Sequence, residues 1–188
     1  SGYYRDQTFM LALNEISVQQ IFSALYANTD LKKEPMSGGR QMGSHFMSNY
    51  IDEKGDFIDS TQKYNSSADI SPTSGQMPRL LGLAMASKLY REGSFNSKNF
   101  SNNGNEVAWG TIGNASTSEG PFFEVFNAAG VHQVPMIISV WDDEYGISVN
   151  NSYQTTKSSI SKALHGFKRD KSNKGFEIYQ LSVSYTHL

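Results

Sequence analysis

The most constraining feature of this chain lies between residues 106 and 141, where "EVAWGTI", "PFFEVFNAAG" and "VPMIISVW" follow one another. The first and third segments are continuous apolar runs bounded by turn residues, the pattern of strands buried on both faces rather than of half-exposed hairpins. The middle segment has helical spacing. Phe122, Val125, Phe126 and Ala129 share one face, Pro121 suits a first turn and Gly130 suits a stop. A strand, helix and strand joined by short connections predict a βαβ unit, which needs a parallel sheet. A further helix around 158–164 and a strand at "GFEIYQL" (175–181) continue the alternation, so the predicted fold class is open α/β, a parallel sheet with helices on both faces.

Upstream, "ISVQQIFSALYAN" (16–28) predicts an amphipathic helix. Val18, Ile21, Phe22 and Leu25 lie on one face, and Ser17 and Gln20 have the spacing of a capping box. Residues 31–74 carry no sustained period and are rich in Gly, Ser and Asn, a long loop of the kind that often carries function. "MPRLLGLAMASKLY" (77–90) is apolar nearly all round between Leu80 and Ala86 and predicts a buried helix. "GSFNSKNFSNNGN" (93–105) reads as a polar surface connection.

Composition narrows the classes of function. With 188 residues, 38% hydrophobic and 18% charged, the chain suits one domain with a real core. A formal net charge of −2 and no long basic run give no electrostatic footprint for nucleic acid. The absence of cysteine excludes disulfides and thiolate metal sites, and fits a cytoplasmic protein. No apolar run approaches the roughly 20 residues of a membrane span.

In open α/β sheets, ligands sit beyond the carboxyl ends of the strands. "GNASTSEG" (113–120) and the acidic "WDDEYGIS" (141–148) both fall there. The first places small and hydroxyl residues at a helix start, where unpaired N–H groups and the helix dipole favour an anion. Asn114, Asp142 and Asp143 could meet around a hard cation such as Mg²⁺, which takes carboxylate, carbonyl and phosphate oxygens. Spacing alone favours the plainer alternative, in which Asn114 is a turn residue and "DDE" a solvated acidic loop.

The two segments together resemble the thiamine diphosphate motif of the decarboxylating component of 2-oxo acid dehydrogenase complexes, written Gly-Asp-Gly, a spacer, then Asn-Asn. Residues 116 to 141 form the spacer here. "YYRDQTF" (3–9), "SGGRQMGSHF" (37–46) and "ISPTSGQMPRLLGLA" (70–84) resemble further blocks of the α-type chain, so the likeness runs from Gly2 to about Leu181. It implies a thiamine diphosphate-binding fold over residues 1–182, a domain incomplete at both ends. "VSYTHL" (183–188) matches nothing in the family and reads as a non-native tail.

Carried over residue by residue, the resemblance makes Asn114, Asp143 and the backbone oxygen of Tyr145 the Mg²⁺ ligands. It puts Tyr4 and Arg5 on the diphosphate, Ser71 near the cofactor, Gly113 and the backbones of Ala115 and Ser116 against the phosphates, and His45 among the catalytic residues. It implies oxidative decarboxylation of a 2-oxo acid, pyruvate or branched-chain, with acyl transfer to a lipoyl-bearing acyltransferase. It also implies an oligomer in which a β-type domain or subunit supplies the Glu that activates the cofactor; no candidate for that Glu is found in this chain. Another thiamine diphosphate enzyme of transketolase type would share the metal motif but differ in the Tyr-Arg and "GGRQMGSHF" blocks, and a non-catalytic phosphate-binding module would keep the fold after losing the strict motif. The chain departs from the family motif in an orderly way: Asn114 replaces Asp, Ala115 replaces the second Gly, and Asp142-Asp143 replaces Asn-Asn. A carboxylate has changed sides. Trp141 stands where some members carry a phosphate-facing Arg.

Overall fold

The structure is a computed structural model that describes residues 7–41, 45–95, 98–171 and 174–182. Tyr4, Arg5 and the tail 183–188 lie outside the described residues. Two short helices open the fold, α1 (Gln7–Ala12) and α2 (Val18–Leu25). The capping box of α2 is formed on both sides: Ser17 Oγ accepts from the Gln20 N–H at 3.2 Å, and Gln20 Oε1 accepts from the Ser17 N–H at 2.9 Å. Its apolar stripe is not buried as the periodicity predicts. Val18, Phe22 and Leu25 are 59%, 53% and 58% exposed, and the helix turns Ser23 inward instead. Met10, Ile16, Met36 and Phe46 make a small core beside it, which Ile21 and Ala24 join from the flank of α2.

The long loop after α2 is organised by a carboxylate. Glu34 is fully buried and accepts from the N–H groups of Met36 (2.9 Å), Ser37 (3.0 Å) and Gly39 (2.7 Å). Gly39 has φ of +73°, and a β-carbon there would meet the Ala27 carbonyl oxygen at 2.5 Å, so no other residue closes this turn without strain.

α3 (Gln76–Arg91) buries Met77, Leu80, Ala84 and Ser87, one face at helical spacing, while Gly82 and Leu83 face outward. It is therefore a half-buried helix, not one surrounded by protein. β1 (Ala108–Gly113) and β2 (Met136–Trp141) pair in parallel, with Ala108 opposite Met136 and Gly113 opposite Trp141, and α4 (Gly120–His132) connects them. This is the predicted βαβ unit. Phe122, Val125, Phe126 and Ala129 of α4 are buried as predicted. The first three pack with Met77, Leu80 and Ile112, and with Ile160 and Leu164 in and after the short α5 (Ile160–Ala163), to make the main core.

Three further expectations are corrected. α4 runs past Gly130 and ends where Gln133 turns left-handed at φ 49°. The helix foreseen at 158–164 keeps only four residues of α-helix, flanked by 3₁₀ turns. "GFEIYQL" is not a strand among the described residues; Phe176 makes one parallel bridge to Lys168 and stacks on Phe126 with ring centroids 4.0 Å apart. Aromatic packing holds that segment where ladder hydrogen bonds were expected. Among the described residues helices reach both faces of the sheet, but unequally. On the face opposite the main core, Phe9 of α1 packs against Trp109 at 4.6 Å, while Ile137 remains 54% exposed. Among the described residues no helix is long and apolar enough to cross a membrane.

Candidate functional site

Both strand ends foreseen as a site converge. The Asn114 N–H donates to the Trp141 carbonyl at 3.0 Å, one step beyond the β1–β2 ladder, which fixes residue 114 beside the start of the acidic segment. That segment folds into a tight hairpin, β3 (Tyr145–Gly146) against β4 (Val149–Asn150), with the exposed Ile147 left-handed at φ 58° between them. Two aspartates shape its start. Asp142 Oδ1 accepts from the Glu144 N–H at 3.0 Å and Asp143 Oδ1 from the Tyr145 N–H at 3.1 Å. These local turns explain why an acidic stretch bends here.

Residues 115–118 form a 3₁₀ turn that carries the chain from β1 to α4, and Thr117 closes it by donating from N–H and Oγ to the Asn114 carbonyl at 3.1 and 2.6 Å. No side chain caps this turn or α4. The first N–H groups of such a turn, those of Ala115 and Ser116, have no partner within it and suit an anion. The hairpin packs on the turn, and Ser118 Oγ donates to the Gln154 carbonyl at 2.9 Å, so the two loops form one body.

At its centre is a residue the sequence reading passed over. Asn151 is only 3% exposed; its Nδ2 donates to Asp142 Oδ1 at 3.1 Å, and its Oδ1 accepts from Asn114 Nδ2 at 2.8 Å. Asn114 is also 3% exposed, and its amide bonds Asn151 through Nδ2, with Oδ1 taking no part in that bond or in any other found among the described residues. The dipeptide Asn150-Asn151 was visible in sequence, but only the return of the hairpin brings it to β1.

Of the other predicted residues, Gly113 ends β1 opposite Trp141, and Trp141 sets its ring 6.0 Å from Phe9. Asp143 and Tyr145 lie on the exposed hairpin. His45 and Ser71, far apart in sequence, are brought together: His45 Nε2 is hydrogen-bonded to Ser71 Oγ. The segments bearing them are tied by reciprocal bonds, the Phe46 N–H to Asp69 Oδ2 and the Asp69 N–H to the Phe46 carbonyl, both 3.0 Å. Gln76, nearly fully buried, donates from Nε2 to the Thr111 carbonyl at 3.0 Å and so fastens the segment after Ser71 to β1 three residues before Asn114.

The donor set fits a hard cation held jointly with a phosphate. Among the described residues no group of three or more His, Asp or Glu could hold a metal by itself. What the loops offer is the amide oxygen of the buried Asn114, a carboxylate and backbone carbonyls, donor types that Mg²⁺ takes together with phosphate oxygens.

The dehydrogenase E1 component family matches residues 1–168, and the chain belongs to that family. One relative is the 2-oxoisovalerate dehydrogenase subunit alpha of Bacillus subtilis (strain 168), 28% identical over 182 residues, which are 95% of this chain and 46% of that protein. The chain thus spans about half the length of that relative.

Proposed function

We propose that this chain supplies the diphosphate- and Mg²⁺-binding half of a thiamine diphosphate-dependent 2-oxo acid dehydrogenase. The observation that carries the reading is the Oδ1 of buried Asn114, left out of the bond to Asn151, at the carboxyl end of a parallel strand and beside the uncapped turn 115–118. Family membership and the name of the Bacillus relative support it, and that name favours a branched-chain 2-oxo acid over pyruvate.

In this reading Asn114 Oδ1, Asp143 and the Tyr145 carbonyl hold Mg²⁺. The backbone of Gly113, Ala115 and Ser116 faces the diphosphate, with Tyr4 and Arg5 completing its neutralisation; a guanidinium matches a phosphate in a bidentate fork. The bound cofactor supplies the nucleophilic carbon and the electron sink for loss of carbon dioxide from the 2-oxo acid. This chain's part is to hold it still. Ser71 orients the His45 imidazole through Nε2, leaving the ring fixed to hold or move a proton at the substrate side. A β-type partner supplies the activating Glu, a lipoyl-bearing acyltransferase accepts the acyl group, and the working assembly is an oligomer.

The test is a titration of the purified protein with thiamine diphosphate, with and without Mg²⁺, followed by calorimetry. Metal-dependent binding is expected. Phosphate-compound binding indifferent to Mg²⁺ would favour a non-catalytic phosphate module, and no binding of either kind would remove the proposal.

A further inference from the structure

We propose that Asp142 and Asn151 are positioning residues that set which end of the Asn114 side chain faces the cation. The inference rests on the reading of Asn114 as a Mg²⁺ ligand. A carboxylate at position 114 would present an oxygen whichever way it turned. An amide has an oxygen at one end and an NH₂ group of nearly the same size at the other, and only the oxygen can ligate.

The structure solves this with a directed chain of three side chains. Asp142 Oδ1 accepts from the Glu144 N–H, and a carboxylate oxygen facing Asn151 calls for a donor, so Asn151 turns its Nδ2 toward it, at 3.1 Å. Asn151 Oδ1 then faces Asn114, and Asn114 must turn its Nδ2 toward that oxygen, at 2.8 Å. The remaining atom, Asn114 Oδ1, is left to the site. Flipping both amides would set Asn151 Oδ1 against a carboxylate oxygen, and flipping Asn114 alone would set its Oδ1 against Asn151 Oδ1; either leaves an acceptor facing an acceptor between asparagines that are each only 3% exposed. The Asp142 carboxylate is itself pinned by the Glu144 N–H, and the Asn151 backbone by its bond to the Glu144 carbonyl at 2.9 Å. Asp142 thus acts at a distance from the cation, through two amides.

The test measures the Mg²⁺ concentration needed for half-maximal thiamine diphosphate binding in the complete gene product, together with the melting temperature of the ligand-free protein. Asp142→Asn keeps the size of the side chain but no longer dictates the direction of Asn151; the Mg²⁺ requirement should rise about 5- to 50-fold, within the range over which contacting residues couple. Glu144→Gln removes a charge from the same loop without touching the chain, and should change the requirement less than about 2-fold. The decisive variant is Asp142→Asn/Asn151→Asp. Asp at 151 can only accept, so it again forces Asn114 Nδ2 inward, and the Mg²⁺ requirement should return to within about 3-fold of wild type. Equal effects of Asp142→Asn and Glu144→Gln would reduce Asp142 to a surface charge. A failure of the double variant to recover, with its ligand-free melting temperature at or above that of Asp142→Asn, would overturn the chain as the cause. A wild-type protein that binds the cofactor without regard to Mg²⁺ would overturn the underlying site reading as well, and that result shows before any variant is made.

Discussion

Gly146 lies directly against the methyl group of Ala115: a β-carbon on residue 146 would stand 2.5 Å from the Ala115 β-carbon, a distance that real side chains do not adopt. Ala115 is the position where the family motif has its second glycine. The methyl group that this chain carries in the turn 115–118 is accommodated because the hairpin opposite has none.

The two positions should therefore be coupled. Gly146→Ala should destabilise the protein by about 1–3 kcal/mol, the usual range for an overpacked site. Ala115→Gly should cost far less, and the double change Ala115→Gly/Gly146→Ala should recover a good part of the loss. Thermal melts of the four proteins decide it. The Gln154 amide, 2.7 Å from the same hypothetical β-carbon, can swing away because it is the end of a flexible side chain. Strict additivity would show that the two loops do not press on one another.

Gln76 offers a test of how the His45–Ser71 pair is held near the strand end. Gln76→Leu keeps the bulk of a nearly fully buried side chain and deletes its bond to the Thr111 carbonyl, so stability should fall by about 1–3 kcal/mol. Amide hydrogen exchange in 69–76 should speed up more than in α4. Uniform acceleration across the protein would mean the bond contributes only to global stability.

The connection 101–106 should loosen in acid. Burial acts to raise the Glu106 pKa, but hydrogen bonds from the Asn102 N–H and from Ser101 Oγ, with the charge of Arg91, outweigh it and hold the carboxyl below its ordinary value. A group whose folded pKa is depressed contributes stability that is present above its unfolded pKa and lost as pH falls through the folded one. Unfolding free energy should thus decline below about pH 4.5, and Glu106→Gln should flatten part of that slope. An unchanged slope would clear Glu106 of any role in it.

In α2, two substitutions should separate local signal from packing. Ser17→Ala removes a formed cap and should cost about 0.5–2 kcal/mol. Phe22→Ser alters a half-exposed side chain and should change the stability of this chain by no more than about 1 kcal/mol, well short of a core phenylalanine. Loss on the core scale, measured by urea denaturation, would show that Phe22 is covered.

What the sequence determined by itself is local or periodic. The capping box of α2, the strand, helix and strand of residues 108–141, and the buried stripe Phe122, Val125, Phe126 and Ala129 depend on spacing within a few residues, and all are present. The choice of Asn114 and the acidic segment as a site followed from the rule that ligands gather at the carboxyl ends of parallel strands, and the two loops do pack together. Three things were decided only in three dimensions. Whether an apolar stripe is covered depends on what other elements reach it, so Val18, Phe22 and Leu25 stay open while residues of the same kind on α4 are buried. Whether "GFEIYQL" joins a sheet depends on a free edge at the right height, and Phe176 found the ring of Phe126 instead. Whether Asn114 offers oxygen or nitrogen depends on Asn151, thirty-seven residues away, and on the carboxylate behind it. A single sequence holds those residue types, but direction in a hydrogen-bond chain exists only once the fold has set its members end to end.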